Sequence, residues 1–326
     1  MTVNHSKVVA AYTNFPMLLA ETNNAQLKNT ASNGHVSDTQ GSDIFFEATS
    51  GALLDFEIEQ FDGASGTLIA WIEIPVMSSS QDLSFWLRYG AACPCVSKAN
   101  PAGVWEGSDE AVYHLDHDFK DSTTSGRNGT PYGSPPFVSG RIGHGASFNG
   151  TSQYIDTQFG NGTAGLIPQW TVSCWVLGTT DPGSAMDTGP VMHESNFNIG
   201  WHHTDANYRR TAFFATATNW FGASFDVLTH GTWYYLAGTY DGTTLTAYKN
   251  GVMTQQVANI SSPAVAEPTT IKIGRHGVTP TWYFDGQVDE VRVSSTAHSA
   301  GWIATSYNNQ ASPATFYTLG SEEALW

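Results

Sequence analysis

The chain has 326 residues, 32 of them glycine, with aromatics at 13% and charged residues at only 13%, a balance that favours strands over helices. Its 13 Lys and Arg against 29 Asp and Glu give a formal net charge of −16, which repels phosphate backbones and excludes nucleic acid as a partner, while suiting calcium and solubility. No apolar run approaches membrane-spanning length.

The opening stretch, MTVNHSKVVAAYTNFPMLLAETNN, carries Tyr12, Thr13, Asn14 and Pro16 inside its mildly apolar run, so it reads as a first strand rather than a signal peptide. Strands follow near DIFFEAT, LLDFEIEQFD, GTLIAWIEIP and LSFWLRYG, separated by turn clusters such as Asp62-Gly63. Residues 1–100 are expected to form a small antiparallel sandwich that serves as an anchor. In LLDFEIEQF, Asp55, Glu57 and Glu59 fall on one face opposite Phe56 and Ile58. A solvated face accounts for them; a glycosidase pair on one strand is the competing reading.

Residues 101–109 are expected to be a linker, the end of a Pro- and Gly-rich stretch holding Cys93-Pro94-Cys95. That spacing is tight for a disulfide and lacks the second pair of a zinc ribbon, so Cys93, Cys95 and Cys174 are all expected to be free thiols, Cys174 in a core strand. Residues 110–326 carry a second set of about ten short strands, the pattern of a two-sheet jelly roll. Asp241-Gly242 between two alternating runs marks a hairpin. SAGWIATSYNNQ is the best helix candidate, with Ser299 as cap and Trp302, Ile303 and Tyr307 on one side.

In FDGQVDEVRV (284–293), strand alternation places Asp289 on the face of Val291 and Val293, and Glu290 beside Arg292, with which it could pair. A carboxylate on an apolar face needs a metal, a cation or several donors. His202 and His203 in GWHHTDANYRR point to opposite faces of any strand, which is poor zinc geometry even with Asp205 nearby.

The runs AVYHLDHDFKDSTTSGRNGT, GRIGHGASFNGTSQYID, WTVSCWVLG, GTWYYLAGTYDGTTLTAYKNG, IKIGR and FDGQVDEVRVSSTAHSAGWIATSYNNQ resemble, in order, the landmarks of the laminin-G-like, concanavalin A-like jelly roll over residues 110–310. The first hundred residues resemble a small module of unknown function that precedes such jelly rolls in bacterial, archaeal and phage surface proteins. The fold class is therefore all-β, two β-sandwich domains, the second a concanavalin A-like jelly roll with a short C-terminal helix. The resemblance also implies a Ca2+ ion held by Asp289, a carbonyl of Gly150 and a carboxylate from Asp116, since calcium takes six to eight oxygens. Satisfaction of Asp289 by Arg292, another cation or backbone donors is the alternative.

Trp201, Tyr208, Arg209, Trp220 and Trp282 lie at or near strand ends, where rings stack on sugars and Arg pairs with acidic ones, and they form the expected glycan platform. Core packing is the competing reading for each ring. No catalytic motif stands out. The expectation is a non-enzymatic binding or adhesion protein, extracellular or on a phage virion surface as a head decoration or tail component. Its partners would be a glycan or cell-surface polysaccharide and capsid or tail subunits, in a homo-oligomer or larger assembly. A carbohydrate-active enzyme and a purely structural capsid-stabilising protein are the alternatives.

Overall fold

The computed structural model describes residues 1–105, 107–159, 168–180, 188–193, 198–201, 210–215, 220–260 and 270–323, with backbone alone at 201, 210–215 and 220. Strand makes up 43% and helix 9%, as the composition requires for an all-β chain. Two compact units emerge, residues 1–106 with 304–326, and residues 107–303. This division differs from the expected one: from Ala304 onward the C-terminal segment, assigned from sequence to the jelly roll, groups with the first unit.

Up to residue 106 the chain forms β1 (Thr2–Val3), β2 (Tyr12–Glu21), β3 (Phe45–Ala48), β4 (Phe56–Asp62), β5 (Thr67–Met77), β6 (Leu83–Arg88) and a short helix α1 (Pro101–Val104). The jelly roll then adds β7 (Asp109–Tyr113), β8 (Thr130–Tyr132), β9 (Phe137–Ser139), β10 (His144–Asn149), β11 (Tyr154–Asp156), β12 (Trp170–Gly178), β13 (Thr188–Met192) and β14 (Asn198–Trp201). It continues with β15 (Arg210–Ala215), β16 (Trp220–Ser224), β17 (Trp233–Tyr240), β18 (Leu245–Lys249), β19 (Val252–Val257), β20 (Lys272–Ile273) and β21 (Asp285–Ser294). Helices α2 (Ala300–Ala311) and α3 (Pro313–Phe316) and strand β22 (Tyr317–Thr318) close the chain.

In the first unit a four-stranded sheet, β22-β1-β6-β3, faces a three-stranded one, β2-β5-β4. Phe46 of the first meets Phe56 of the second edge to face, ring centroids 5.2 Å apart, which marks the sandwich interior. Pro16 is tolerated because β2 is an edge strand. Asn309 of α2 covers that edge, accepting from the Leu18 N–H and donating to the Leu18 carbonyl. Ser299 caps α2 through the Trp302 N–H, as its position predicts.

The second unit stacks an eight-stranded sheet, β19-β18-β17-β12-β21-β10-β9 with β7 on β21, against a seven-stranded one, β16-β15-β14-β13-β20-β11-β8. Ala146, Val172, Val176, Val288 and Val291 from the first sheet and Ile155, Val191, Ile199 and Ile273 from the second fill the space between. Cys174 lies there as a free, buried thiol, and burial raises its pKa, the Asp289 carboxylate adding to the effect. Asp241 accepts from the Thr243 and Thr244 N–H groups and turns β17 into β18.

Two further expectations fail. Cys93 and Cys95 are joined: their Cα atoms stand 4.5 Å apart, inside the range a disulfide spans, with the Cys93–Pro94 peptide cis. Asp289 does not share the face of Val291 and Val293. Between Ser173↔Arg292 and Trp175↔Asp289 the ladder slips by one, and Glu290 takes a left-handed φ of 52°. This β-bulge breaks the alternation, so Val288 and Val291 both face the core while Asp289 joins Trp175 on the outer face.

Candidate functional site

The outer face of the eight-stranded sheet gathers buried charge. Asp289 is fully buried, and its Oδ2 accepts the N–H groups of Arg141 and Ile142, each at 2.8 Å. The turn that supplies them is closed by Gly140 N–H donating to the Gly143 carbonyl. A Cβ at Gly140 would stand 2.7 Å from Asp289 Oδ2, so only glycine lets this turn approach. Arg141 then lays its guanidinium over Trp175, 4.8 Å from the ring centroid. Glu290 accepts from Arg292 at 2.8 Å, the pairing the sequence allowed, and is hydrogen-bonded to His114 Nδ1, also at 2.8 Å. Burial works to raise the Glu290 carboxyl; His114 and Arg292 together outweigh it and leave the pKa below its ordinary value.

The expected calcium ligands do not converge. Gly150 sits in the turn after β10 beside Asp285, whose Cβ would be 2.9 Å from a Cβ at that glycine. Asp285 and Asp289 are four residues apart along β21, about 13 Å at strand rise. Asp116 is instead ringed by nitrogen: its Oδ1 lies 2.6 Å from His144 Nδ1 and 3.5 Å from His117 Nε2. Calcium takes oxygen ligands; Asp289 Oδ2 already accepts two backbone N–H groups and Asp116 faces imidazole nitrogens, so the expected set of Asp116, Gly150 and Asp289 is not gathered around one point.

The outer face of the seven-stranded sheet is of another kind. Ile155 and Ile273 point to the core, so their neighbours Tyr154, Asp156 and Lys272 point outward. Tyr132, directly opposite Tyr154 on the edge strand β8, stacks on it with centroids 4.6 Å apart and planes within 3°. The Arg275 guanidinium lies 4.0 Å from the centroid of Tyr154, and Tyr283, bridged to Arg275, leans against the same ring at 6.2 Å. Tyr132 is 44% exposed. Next to the rings, Lys272 donates to Asp156 and Thr270, and Thr270 donates to Asp156. Burial pushes Asp156 up, yet the Lys272 and Thr270 hydrogen bonds prevail and hold it below the usual range; burial lowers Lys272, with Asp156 opposing.

Of the expected sugar-binding residues, Trp282 lies one residue before Tyr283, with its ring edge-on to His276 at 4.8 Å. Trp201 and Trp220 are placed by backbone alone, on β14 and β16. Tyr208 and Arg209, like His202, His203 and Asp205, lie outside the described residues. In the first unit, Asp55, Glu57 and Glu59 accept from Asn100, Trp105 and Trp71 respectively, so these carboxylates serve packing. Tyr132, Tyr154 and Arg275 were not anticipated. The signal was present in QYIDT, where alternation around Ile155 turns Tyr154 and Asp156 outward, but the β8–β11 pairing that brings Tyr132 alongside is non-local.

Residues 148–304 match the family model of the concanavalin A-like lectin/glucanases superfamily, laminin-G-like branch. Among curated proteins none matches the sequence. Among solved structures the chain is similar to domain 4 of AbnA, a GH43 extracellular arabinanase from Geobacillus stearothermophilus, in complex with arabinotriose. Identity there is 24% over 62% of this chain and 99% of that one, with a TM-score of 0.49. It is also similar to the binding domain of Paraclostridial Mosquitocidal Protein 1 at 10% identity, covering 61% of this chain and 52% of that one, TM-score 0.49. The botulinum neurotoxin serotype D binding domain gives 13% identity, 61% and 51% coverage and a TM-score of 0.48. This chain thus spans about half the length of the two toxin domains. A fold of this superfamily fits a binding role and also occurs in glycosidases. The second unit is a concanavalin A-like jelly roll of the laminin-G-like kind, two stacked sheets with the family match on residues 148–304.

Proposed function

We propose that the second unit is a non-catalytic glycan-binding module whose sugar sits on the outer face of the seven-stranded sheet, against Tyr132 and Tyr154. The observation that carries this reading is the parallel tyrosine pair with Arg275 beside it and a polar Asp156–Lys272–Thr270 cluster within the same face. A pyranose or furanose ring presents apolar C–H faces and a rim of hydroxyls. Flat aromatic rings take the first, and fixed charged and hydroxyl side chains take the second.

Binding rather than hydrolysis is favoured by the state of the carboxylates. Retaining and inverting glycosidases set two carboxyl groups across the scissile bond, one of them able to give up a proton. Here Asp289 and Glu290 are buried and hydrogen-bonded, and Asp156 is tied to Lys272. Asp156 faces the proposed sugar as an acceptor already tied to Lys272 and Thr270, and neither Asp289 nor Glu290 shares that face to complete a pair.

A glycan array probed with the full chain tests this reading. Binding to at least one oligosaccharide class, weakened tenfold or more by Tyr132→Ala, is the expected result. A silent array, or a positive one that Tyr132→Ala leaves unchanged, removes the platform. Release of reducing ends from the bound polysaccharide would instead make the unit an enzyme.

A further inference from the structure

We infer a divalent transition-metal site of the zinc class at Asp116, His117 and His144, between the turn after β7 and strand β10. The backbone builds it. After β7 the chain passes through Leu115 at φ 63° and His117 at φ 62°, both in the left-handed region that non-glycine residues adopt only at a cost. These two kinks flank Asp116 and press its side chain under β10, where it is 1% exposed. His117, 61% exposed, and His144, 32% exposed, close over it with ring centroids 4.2 Å apart.

The donor set is chemically specific. One ligand atom from each of the three residues falls within 4.8 Å of the other two. An ion with bonds of 2.0–2.1 Å in tetrahedral geometry sets its ligands about 3.3 Å apart. The His117 Nε2 to Asp116 Oδ1 separation of 3.5 Å already matches that spacing. The 2.6 Å His144 Nδ1–Asp116 Oδ1 hydrogen bond must open for a cation to enter, the neutral imidazole then carrying its hydrogen on Nε2 and turning the Nδ1 lone pair to the ion. Asp116 Oδ2 is buried and has no hydrogen-bond partner among the described residues, an acceptor that a bound cation would satisfy. Two imidazoles and one carboxylate suit zinc and its neighbours in the transition series, not calcium or magnesium. Three protein ligands leave a fourth position open beside the exposed His117, for water or a donor from another molecule. A bound ion would staple the strained 115–117 turn to β10.

The test uses the full chain, stripped of metal and free of any histidine tag, titrated with CoCl2, ZnCl2 and CaCl2. The expected outcome is a tetrahedral cobalt absorption band that saturates at one ion per chain, is displaced by zinc and not by calcium, and accompanies a rise in Tm. His117→Ala and His144→Ala each weaken cobalt binding tenfold or more. His117 is exposed, so its variant is expected to fold, which far-UV circular dichroism checks. No band in the parent protein, an unchanged band in both variants, or displacement by calcium overturns the site.

Discussion

The two outer faces of the jelly roll use polar side chains in opposite ways. On the eight-stranded sheet, Asp289 and Glu290 are withdrawn from solvent and their acceptors meet backbone N–H groups, His114 and Arg292. On the seven-stranded sheet, Tyr132, Tyr154 and Arg275 stack on one another at an edge with Tyr132 left in solvent. Charge that is buried and hydrogen-bonded holds a fold together, whereas rings held flat at a surface remain available to a ligand. The sharpest sequence signal, the acidic pair in the middle of β21, therefore marks architecture. The binding candidate lies where the sequence is plainer.

Substitutions on the first face should have the largest effect, on stability. Asp289→Ala leaves the Arg141 and Ile142 N–H groups without their acceptor and should cost about 2–5 kcal/mol in denaturant unfolding. A cost under about 1 kcal/mol would show that the turn is held by something else. Glu290→Gln removes the buried carboxylate that Arg292 and His114 share and should cost about 3 kcal/mol. The folded pKa of Glu290 lies below its ordinary value, so its contribution is present above about pH 4.5 and disappears as pH falls through the lower folded value. The Glu290→Gln variant should lose that acid-side slope.

The second face should show the reverse: Tyr132→Ala is expected to change stability by less than about 0.5 kcal/mol while lowering glycan affinity by at least tenfold, about 1.4 kcal/mol. A destabilised variant would make Tyr132 a packing residue and remove the contrast. The smallest effect belongs to His298, stacked on Trp302 at 4.4 Å, whose pKa burial lowers to about 4. Unfolding lets this imidazole take up a proton below about pH 6.5, so its contribution is complete above that pH and is lost as pH falls toward 4. His298→Phe should flatten the stability profile across that window by about 1 kcal/mol, read from Tm at pH 5 and pH 8.

Much of this architecture is visible in local pattern. The strand runs, the Asp241-Gly242 hairpin and the Ser299-capped helix all rest on contacts between residues near in sequence. What escaped depends on contacts between distant ones. Alternation alone puts Asp289 in the core, because nothing in VDEVRV announces that Glu290 will bulge against β12. The return of residues 304–326 to the first unit depends on Asn309 meeting Leu18, a pairing 291 residues apart. Tyr132 and Tyr154 become one platform only through β8–β11 pairing, and His117 and His144 meet only once β10 crosses Asp116. Tryptophan is the larger ring, yet the exposed stack is made of tyrosine. No residue motif marks a virion, so that expectation rests on composition, the reading of the N-terminus and resemblance.

The most direct measurement follows the tyrosine ring signals by NMR while the oligosaccharide selected on the array is added to the full chain. Shifts confined to Tyr132, Tyr154 and Tyr283, with the His117 and His144 rings unmoved, are what the platform predicts. Saturable binding that leaves all three tyrosines unperturbed would place the ligand elsewhere and contradict it.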